Sequence, residues 1–279
     1  MLSIDEILAQ GLTRSQSARY EDTGFIKPLT ALIDALNTEA DLNTAGVAFH
    51  QARLQGLLQN RKALEDWTKK HPEIAEEILL APIVIVGLPR TGTTLLHRTI
   101  ATDTSLMAPL WYEVRQPAPI DMNFVSDDGR IAIAKAEVDA MLAAMPGLAA
   151  IHPIDAVAPD EEIMLLEHSF ISTVPECYAS IPKYGEALYA QDPSASYDYL
   201  YKMLQFLQWQ KRQKGELGQR WLLKTPHHLH YPQQLFQTFP DAVVIQTHRH
   251  PSEVMPSYAS MMCELAAPFA NNLSKQALA

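Results

Sequence analysis

The stretch PIVIVGLPRTGTTLLHRTI, residues 82–100, constrains the fold more than any other part of the sequence. Residues 83–86 form a continuous apolar run, which is typical of a parallel strand covered on both faces. A turn with two glycines and three threonines follows, and residues 94–102 then have the pattern of an amphipathic helix. Strand, glycine-containing turn and helix in this order predict a parallel α/β sheet with an anion-binding loop.

The rest of the chain continues the alternation of strands and helices. Residues 221–223 and 243–246 read as short buried strands, and residues 197–213 and 232–238 read as helices. A further helix is expected over residues 131–145, and one or two more around residues 161–169. The predicted fold class is therefore α/β, with a P-loop-like parallel sheet flanked by helices.

The first eighty residues have a different character and read as helical throughout. Ser3 and Glu6 fit a capping box that opens a helix over residues 4–10, and a third helix is expected over residues 72–80. We therefore expect a helical N-terminal region, residues 1–80, followed by a ligand-binding domain, residues 81–279. The N-terminal region is compatible with a homodimer arm or with a layer that covers the sheet.

Charge and cysteine content exclude several classes of protein. The formal net charge of −10 over 279 residues argues against a nucleic-acid-binding surface. No apolar run approaches the ~20 residues that a membrane-spanning helix needs. Cys177 and Cys263 have no metal-ligand spacing. The N-terminus also lacks the basic-then-apolar layout of a signal peptide, so we expect a cytoplasmic protein.

The loop after the first strand resembles a phosphate-binding loop that lacks its lysine. Gly87 and Gly92 have the glycine spacing of the Walker A pattern, but Thr93 occupies the lysine position. The backbone N–H groups, the helix N-terminus and the hydroxyls of Thr91, Thr93 and Thr94 still suit an anion. Arg90 is the nearest cation in the sequence.

Cations also follow the two later strands, where a nucleotide triphosphatase needs an acid to organise Mg²⁺. Lys224 ends the strand at residues 221–223, and Arg249 follows the strand at residues 243–246. A cradle of Arg90, Lys224 and Arg249 predicts a polyanionic ligand bound without a metal. Arg249 and Ser257, eight residues apart, form a second candidate clamp for a phosphate.

At these two elements the sequence resembles the sulfotransferases that use 3′-phosphoadenosine 5′-phosphosulfate (PAPS). The loop through Arg90, Thr91, Gly92, Thr93 and Thr94 resembles the family's PRSGTT loop, with Thr91 in place of its serine. The segments LKTP, FPDA and HRHP, beginning at residues 223, 239 and 248, resemble the bacterial branch of this family.

The resemblance implies a role for each of these elements. The loop would bind the 5′-phosphosulfate of PAPS, and Arg249 with Ser257 would bind its 3′-phosphate. The reaction would move the sulfuryl group to a hydroxyl of a small-molecule, carbohydrate or lipid acceptor, without a metal. Members of the family usually continue well beyond the position of Ala279, so we expect the C-terminal part of the domain to be missing.

Transfer to a hydroxyl requires a base and charge-stabilising cations. Arg90 and Lys224 are the expected cations. Glu113 is the favoured base, because glutamate at this location is the base in the protein-tyrosine sulfotransferases that the region resembles. Glu161, Glu162 and His152 stay open as alternatives.

Two other functions stay open at this stage. The chain could be a non-catalytic nucleotide-binding subunit, or, less favoured by the missing lysine and acid, an ATP-using phosphotransferase. Neither the acceptor nor the oligomeric state follows from the sequence.

Overall fold

A four-stranded parallel sheet forms the centre of the structure, a computed structural model that describes residues 1–13, 19–145, 147 and 153–273. The strands are β1 (Ile83–Val86), β2 (Leu106–Met107), β3 (Arg220–Lys224) and β4 (Val243–Gln246), in the order β2-β3-β1-β4. All pairs are parallel, and Ile83 of β1 is in register with Leu222 on one side and Val243 on the other. The predicted α/β class and the strand at residues 243–246 are confirmed.

The helices of the first part of the chain are α1 (Ile4–Gly11), α2 (Ile26–Thr38) and α3 (Thr44–Lys70). The Ser3 side chain accepts a hydrogen bond from the Glu6 N–H and so opens α1 as predicted. The third helix expected over residues 72–80 is instead a short 3-10 helix, Pro72–Glu76. Leu29, Leu32 and Leu58 of this region share one buried core with Phe170 and Tyr184 from the middle of the chain.

The remaining helices surround the sheet. They are α4 (Thr93–Ile100), α5 (Trp111–Arg115), α6 (Gly129–Ala144), α7 (Ile163–Leu166), α8 (Pro182–Ala190), α9 (Ser194–Lys214), α10 (Pro232–Thr238) and α11 (Pro251–Ala266). Short 3-10 helices at Glu167–Ser169, Val174–Cys177, Pro226–Leu229 and elsewhere connect them. In the described part of the chain, no helix is both long and apolar enough to cross a membrane.

The main core lies between the sheet and α9. Leu200, Met203 and Leu207 of α9 are fully buried, and they share one cluster with Trp221 and Leu223 of β3. Burial on this scale is the dominant favourable term in folding. It fixes the position of β3, and therefore of the residues that follow its carboxyl end.

Strand β4 lies at the edge of the sheet and pairs only with β1 in the described residues. The sequence predicted a buried strand here, but Val243 is 48% exposed and Val244 is 36% exposed. The apolar run therefore predicted the strand correctly, but the prediction that the strand is buried was wrong. Its valines are exposed because no described element covers this edge of the sheet. The carboxyl ends of β1, β3 and β4 still meet at one side of the sheet, where α/β proteins bind ligands.

Candidate active site

The loop between β1 and α4 has the backbone geometry of an anion-binding turn. A Cβ atom at Gly87 would lie 2.1 Å from Thr247 Oγ1, so only glycine fits there. Gly92 has a left-handed φ of 88° and ends the turn, while a Cβ atom on Gly92 would meet only open space. Arg90 also has a left-handed φ, of 71°, which a non-glycine residue adopts at some cost in strain.

Helix α4 begins directly after this turn. No side chain of the described residues caps its first turn. The N–H groups there are the ones that helices commonly offer to phosphate or sulfate. Thr93 and Thr94 lie in this turn and line the cavity described below. These features fit the phosphosulfate end of the expected co-substrate.

Thr91 ties the loop to the neighbouring strand. Its hydroxyl donates to the Leu88 carbonyl at 2.7 Å and lies 2.6 Å from Thr247 Oγ1. Because the single hydroxyl proton of Thr91 is directed at Leu88, Thr247 is the donor to Thr91. The side chain that replaces the family's serine therefore shapes the loop through two internal hydrogen bonds.

Arg90 and Ser257 bring the two predicted phosphate elements together. Arg90 Nε donates to Ser257 Oγ at 3.0 Å across 167 positions of sequence. Arg249, expected beside Ser257, instead pairs through Nε with Glu253 Oε2 at 2.6 Å, and its side chain is 51% exposed. The structure thus joins Ser257 to the loop arginine and places Arg249 in an ion pair on the surface.

Lys224 lies at the carboxyl end of β3 and is 1% exposed. Its Nζ contacts Thr94 Oγ1 at 3.3 Å and forms an ion pair with the Glu161 carboxylate. Its backbone N–H donates to Glu162 Oε2 at 2.6 Å. The lysine predicted from the strand end is therefore held between the start of α4 and a carboxylate.

Glu162 fixes the backbone of Lys224 through the hydrogen bond just described. It is fully buried and binds His228 Nε2 at 2.9 Å, and His228 Nδ1 binds the Tyr197 hydroxyl at 2.7 Å. Burial raises the pKa of Glu162. The hydrogen bond and charge of His228, with the Lys224 N–H, outweigh this and hold that pKa below its usual value. Glu162 is thus a buried anchor between β3 and α9.

Glu113 does not lie where the sequence placed it. We expected it at the end of a strand, but β2 ends at Met107 and Glu113 lies inside helix α5. Its side chain is 2% exposed, accepts from the Leu110 N–H at 2.9 Å and pairs with Lys211 Nζ at 2.8 Å. It is not among the residues that line the cavity. In this geometry Glu113 joins α5 to α9 through its ion pair with Lys211.

Glu161, one of the alternative bases, lies beside the expected reacting end. It lines the cavity, its side chain is 19% exposed, and it touches Lys224. An antiparallel bridge between Leu110 and Pro159, with the Asp160 N–H donating to the Pro109 carbonyl at 2.9 Å, holds this segment against the residues that precede α5. His152, the other alternative base, lies outside the described residues.

One cavity of about 580 Å³ extends from this cluster. Arg90, Thr93, Thr94 and Glu161 form part of its wall, and apolar side chains form most of the rest. The size is that of a pocket for a small molecule. The apolar lining includes Leu88, Trp111, Met141, Met145, Ile154, Ile163, Met164, Val174, Ile181, Val254, Met255, Tyr258, Met261, Met262 and Leu265.

His227 contributes a neutral imidazole to the same wall. Burial, together with nearby His228 and His230, lowers the pKa of His227 to about 3. In the described residues, no group of three or more His, Cys, Asp or Glu side chains is arranged to hold a metal ion. The polar groups of the lining at this end are thus an arginine, a carboxylate, a neutral imidazole and a helix N-terminus, and the buried Lys224 lies behind them in contact with Thr94 and Glu161.

The chain belongs to the sulfotransferase family: residues 82–278 match that family. The whole structure is also similar to a solved sulfotransferase, STF1 from Mycobacterium tuberculosis H37Rv. The TM-score is 0.84 at 28% identity, and the match covers 97% of this chain and 73% of that one.

A second solved structure has the same fold. It is sulfotransferase STF9 from Mycobacterium avium, with a TM-score of 0.84 at 22% identity over 97% of this chain and 69% of that one. A search of the curated proteins found no significant match.

Proposed function

We propose that this chain is a PAPS-dependent sulfotransferase that transfers a sulfuryl group to the hydroxyl of a small-molecule acceptor. The observation that carries the proposal is the position of Lys224 Nζ, which touches Thr94 Oγ1 at the start of α4 and the Glu161 carboxylate. A cation, an anion-binding loop and a carboxylate thus meet at one end of a cavity.

When bound, PAPS supplies an activated sulfuryl group on its 5′-phosphate. We place that end of the molecule at the turn formed by Gly92, Thr93 and Thr94, with Arg90 beside it, because helix N-termini and arginine side chains bind such oxyanions. Ser257 orients Arg90 through the 3.0 Å hydrogen bond. Thr91 acts by fixing the loop, and Arg249 remains our candidate for the 3′-phosphate together with Ser257.

Lys224 is our candidate for stabilising the charge that builds up on the oxygen bridging sulfur and phosphorus. Preorganised donors of this kind, held in a water-poor site, are commonly the largest contribution to catalysis. Lys224 meets this requirement because its ammonium group is buried and its backbone is fixed by β3 and Glu162.

We propose Glu161 as the base in place of Glu113. The acceptor oxygen forms a new bond to sulfur, the bond from sulfur to the phosphate oxygen breaks, and Glu161 takes the hydroxyl proton. The products are the sulfated acceptor and adenosine 3′,5′-bisphosphate. Glu161 is preferred because it lines the cavity beside Lys224, whereas Glu113 is engaged with Lys211 and lies away from the cavity lining.

The experiment is a transfer assay with ³⁵S-labelled PAPS, with and without Mg²⁺, against phenols, alkanols and sugars. We expect labelled acceptor and adenosine 3′,5′-bisphosphate in equal amounts, independent of Mg²⁺. Phosphoryl transfer from Mg-ATP would instead support a phosphotransferase. Nucleotide binding without any transfer would support a non-catalytic subunit.

A further inference from the structure

Two nitrogens in the wall of the cavity have no partner in the protein. Nine buried polar side-chain atoms of the described residues lack a hydrogen-bond partner, and two of them, Trp111 Nε1 and His227 Nε2, belong to residues that line the cavity. Buried polar groups in native proteins are almost always hydrogen-bonded. Unpartnered nitrogens in a cavity wall therefore indicate a bound molecule with polar atoms of its own.

One ring nitrogen of His227, Nε2, is buried and has no hydrogen-bond partner among the described residues. The residue is 1% exposed, its Nδ1 lies 3.4 Å from Thr173 Oγ1, and its backbone N–H donates to Thr225 Oγ1 at 3.2 Å. These contacts involve the backbone and one edge of the ring, and they leave Nε2 without a hydrogen-bond partner. His227 also follows Lys224 by three residues, which puts it close in sequence to the expected reacting end.

The rest of the cavity suits an apolar part of a bound molecule. Six methionines from α6, α7 and α11 and the residue after α6 line it: Met141, Met145, Met164, Met255, Met261 and Met262. Methionine side chains are flexible and polarizable, so a wall of this kind adapts to apolar molecules of irregular shape. A sugar, which needs many hydrogen bonds to replace its hydration, is disfavoured by a wall in which apolar side chains outnumber polar ones.

The charges of the lining disfavour an anionic acceptor. Asp160, Glu161 and Glu176 are its acidic residues, and Arg90, in the loop, is the one lysine or arginine of the described lining. Burial raises the pKa of Glu176 to about 7, so this carboxyl also resists carrying a full charge. An uncharged acceptor meets neither repulsion nor the cost of burying an unpaired charge.

We propose that the acceptor is an uncharged apolar alcohol or phenol whose hydroxyl is bound by His227 Nε2. This inference rests on the proposed sulfotransferase activity and names its substrate class. His227 acts as a neutral partner that positions the hydroxyl: Nδ1 accepts from Thr173 Oγ1, Nε2–H donates to the hydroxyl oxygen, and the hydroxyl proton is left for Glu161.

The test uses five acceptor probes with PAPS and the 279-residue chain: p-octylphenol, n-decanol, p-hydroxybenzoate, tyramine and glucose. We expect kcat/KM to be at least tenfold higher for octylphenol or decanol than for the charged probes and glucose. The better of these two then identifies the source as a phenol or an alkanol. Preference for an anionic, cationic or sugar probe, or transfer to none of the five, would overturn the inference.

Variants at position 227 test the positioning role. The asparagine side chain places a polar atom near the position of Nδ1 of the histidine but none near that of Nε2. The longer glutamine side chain places a polar atom near the position of Nε2. We expect His227→Asn to lower kcat/KM for the preferred probe about tenfold, the effect of losing a hydrogen bond in a specific site. His227→Gln should recover part of this loss. His50→Asn is the matched control, because His50 is buried with an unpartnered Nε2 but does not line the cavity.

Calorimetry with adenosine 3′,5′-bisphosphate separates the two levels of the proposal. Both position-227 variants should bind it as the unchanged chain does. If the chain binds the nucleotide but His227→Asn and His50→Asn have equal kcat/KM values, the inference fails alone. If the unchanged chain does not bind the nucleotide, the proposed function fails and the inference with it.

Discussion

Arg90 Nε donates a 3.0 Å hydrogen bond to Ser257 Oγ, and so joins two sequence elements that lie 167 positions apart. One element is the turn after β1, and the other is the helix α11 that follows β4. Both strands end at the same edge of the parallel sheet, which is why two distant segments meet. A nucleotide bound at this edge would therefore touch both elements at once.

The first prediction concerns this hydrogen bond. Ser257→Ala should weaken binding of adenosine 3′,5′-bisphosphate about tenfold, because Arg90 loses its orienting partner and the site loses a hydroxyl donor. Hydrogen bonds to charged groups contribute about 1.5–3 kcal/mol. Calorimetric titration measures the effect. The control is Ser260→Ala, one turn further along α11 at an exposed position, and equal Kd values for the two variants would contradict the assignment.

The second prediction compares two buried lysines. Lys224→Met should reduce turnover about 10²–10³-fold, because it removes a preorganised cation from the reacting end. Lys211→Met removes a lysine that pairs with Glu113 away from the cavity lining, and it should leave turnover of the folded fraction unchanged. The measurement is the turnover rate per folded molecule, with the folded fraction of each variant determined by circular dichroism. Similar losses in both variants would mean that Lys224 has no special role.

The third prediction decides between two glutamates as the base. Glu161→Gln should reduce kcat by about 10²–10⁴, the usual contribution of a positioned general base, with little change in nucleotide affinity. Glu113→Gln should instead lower the free energy of unfolding by about 3–5 kcal/mol, because it leaves Lys211 buried without its partner.

Steady-state kinetics and urea denaturation of both variants give the readout. A loss of kcat in Glu113→Gln, with normal stability and with Glu161→Gln fully active, would return the base to Glu113.

The case of Glu113 shows what the sequence could and could not predict. The runs IVIV at residues 83–86 and VVIQ at residues 243–246 predicted β1 and β4 correctly, because consecutive β-branched apolar residues in this setting favour a strand. The location of Glu113 was inferred from spacing along the chain. That spacing was misleading because β2 is only two residues long and a helix starts at Trp111.

The contacts that define the candidate site depend on tertiary structure. Lys224 was predicted from the strand end, but its partner Glu161 is brought in by the bridge between Leu110 and Pro159. Arg249 and Ser257 have the expected spacing, yet only the packing of α11 decides that Ser257 meets Arg90. No local pattern in the sequence encodes such pairings.

The fourth prediction concerns stability against acid. Burial, with a nearby positive charge in three cases, lowers the pKa of His50 and His97 to about 4 and of His168 and His227 to about 3. In the unfolded chain these imidazoles have pKa values near 6.5. As the pH falls below about 6.5, the unfolded state therefore binds about four protons that the folded state does not bind. The contribution of these histidines to the free energy of unfolding is therefore fully present above about pH 6.5 and decreases as the pH falls below it.

Glu176 opposes this trend by one proton, because burial raises its pKa to about 7 and the folded state binds that proton first. For these five groups the net difference of about three protons corresponds to about 4 kcal/mol per pH unit near pH 5.5. Urea denaturation at pH 7.5, 6.5 and 5.5 should show this loss. His50→Asn should reduce the slope by about 1.4 kcal/mol per pH unit, and a stability that does not change over this range would refute the assignment of buried neutral histidines.

The most direct test of the proposed function is calorimetric titration of the 279-residue chain with adenosine 3′,5′-bisphosphate, with and without Mg²⁺, beside the same titrations with ATP. The cavity wall contains a helix N-terminus and Arg90, and Lys224 lies against Thr94 directly behind it. We therefore expect binding of the bisphosphate that is independent of Mg²⁺ and at least tenfold tighter than that of ATP. Binding of ATP that is tighter and requires Mg²⁺, or no binding of either nucleotide, would contradict the assignment of this site to PAPS.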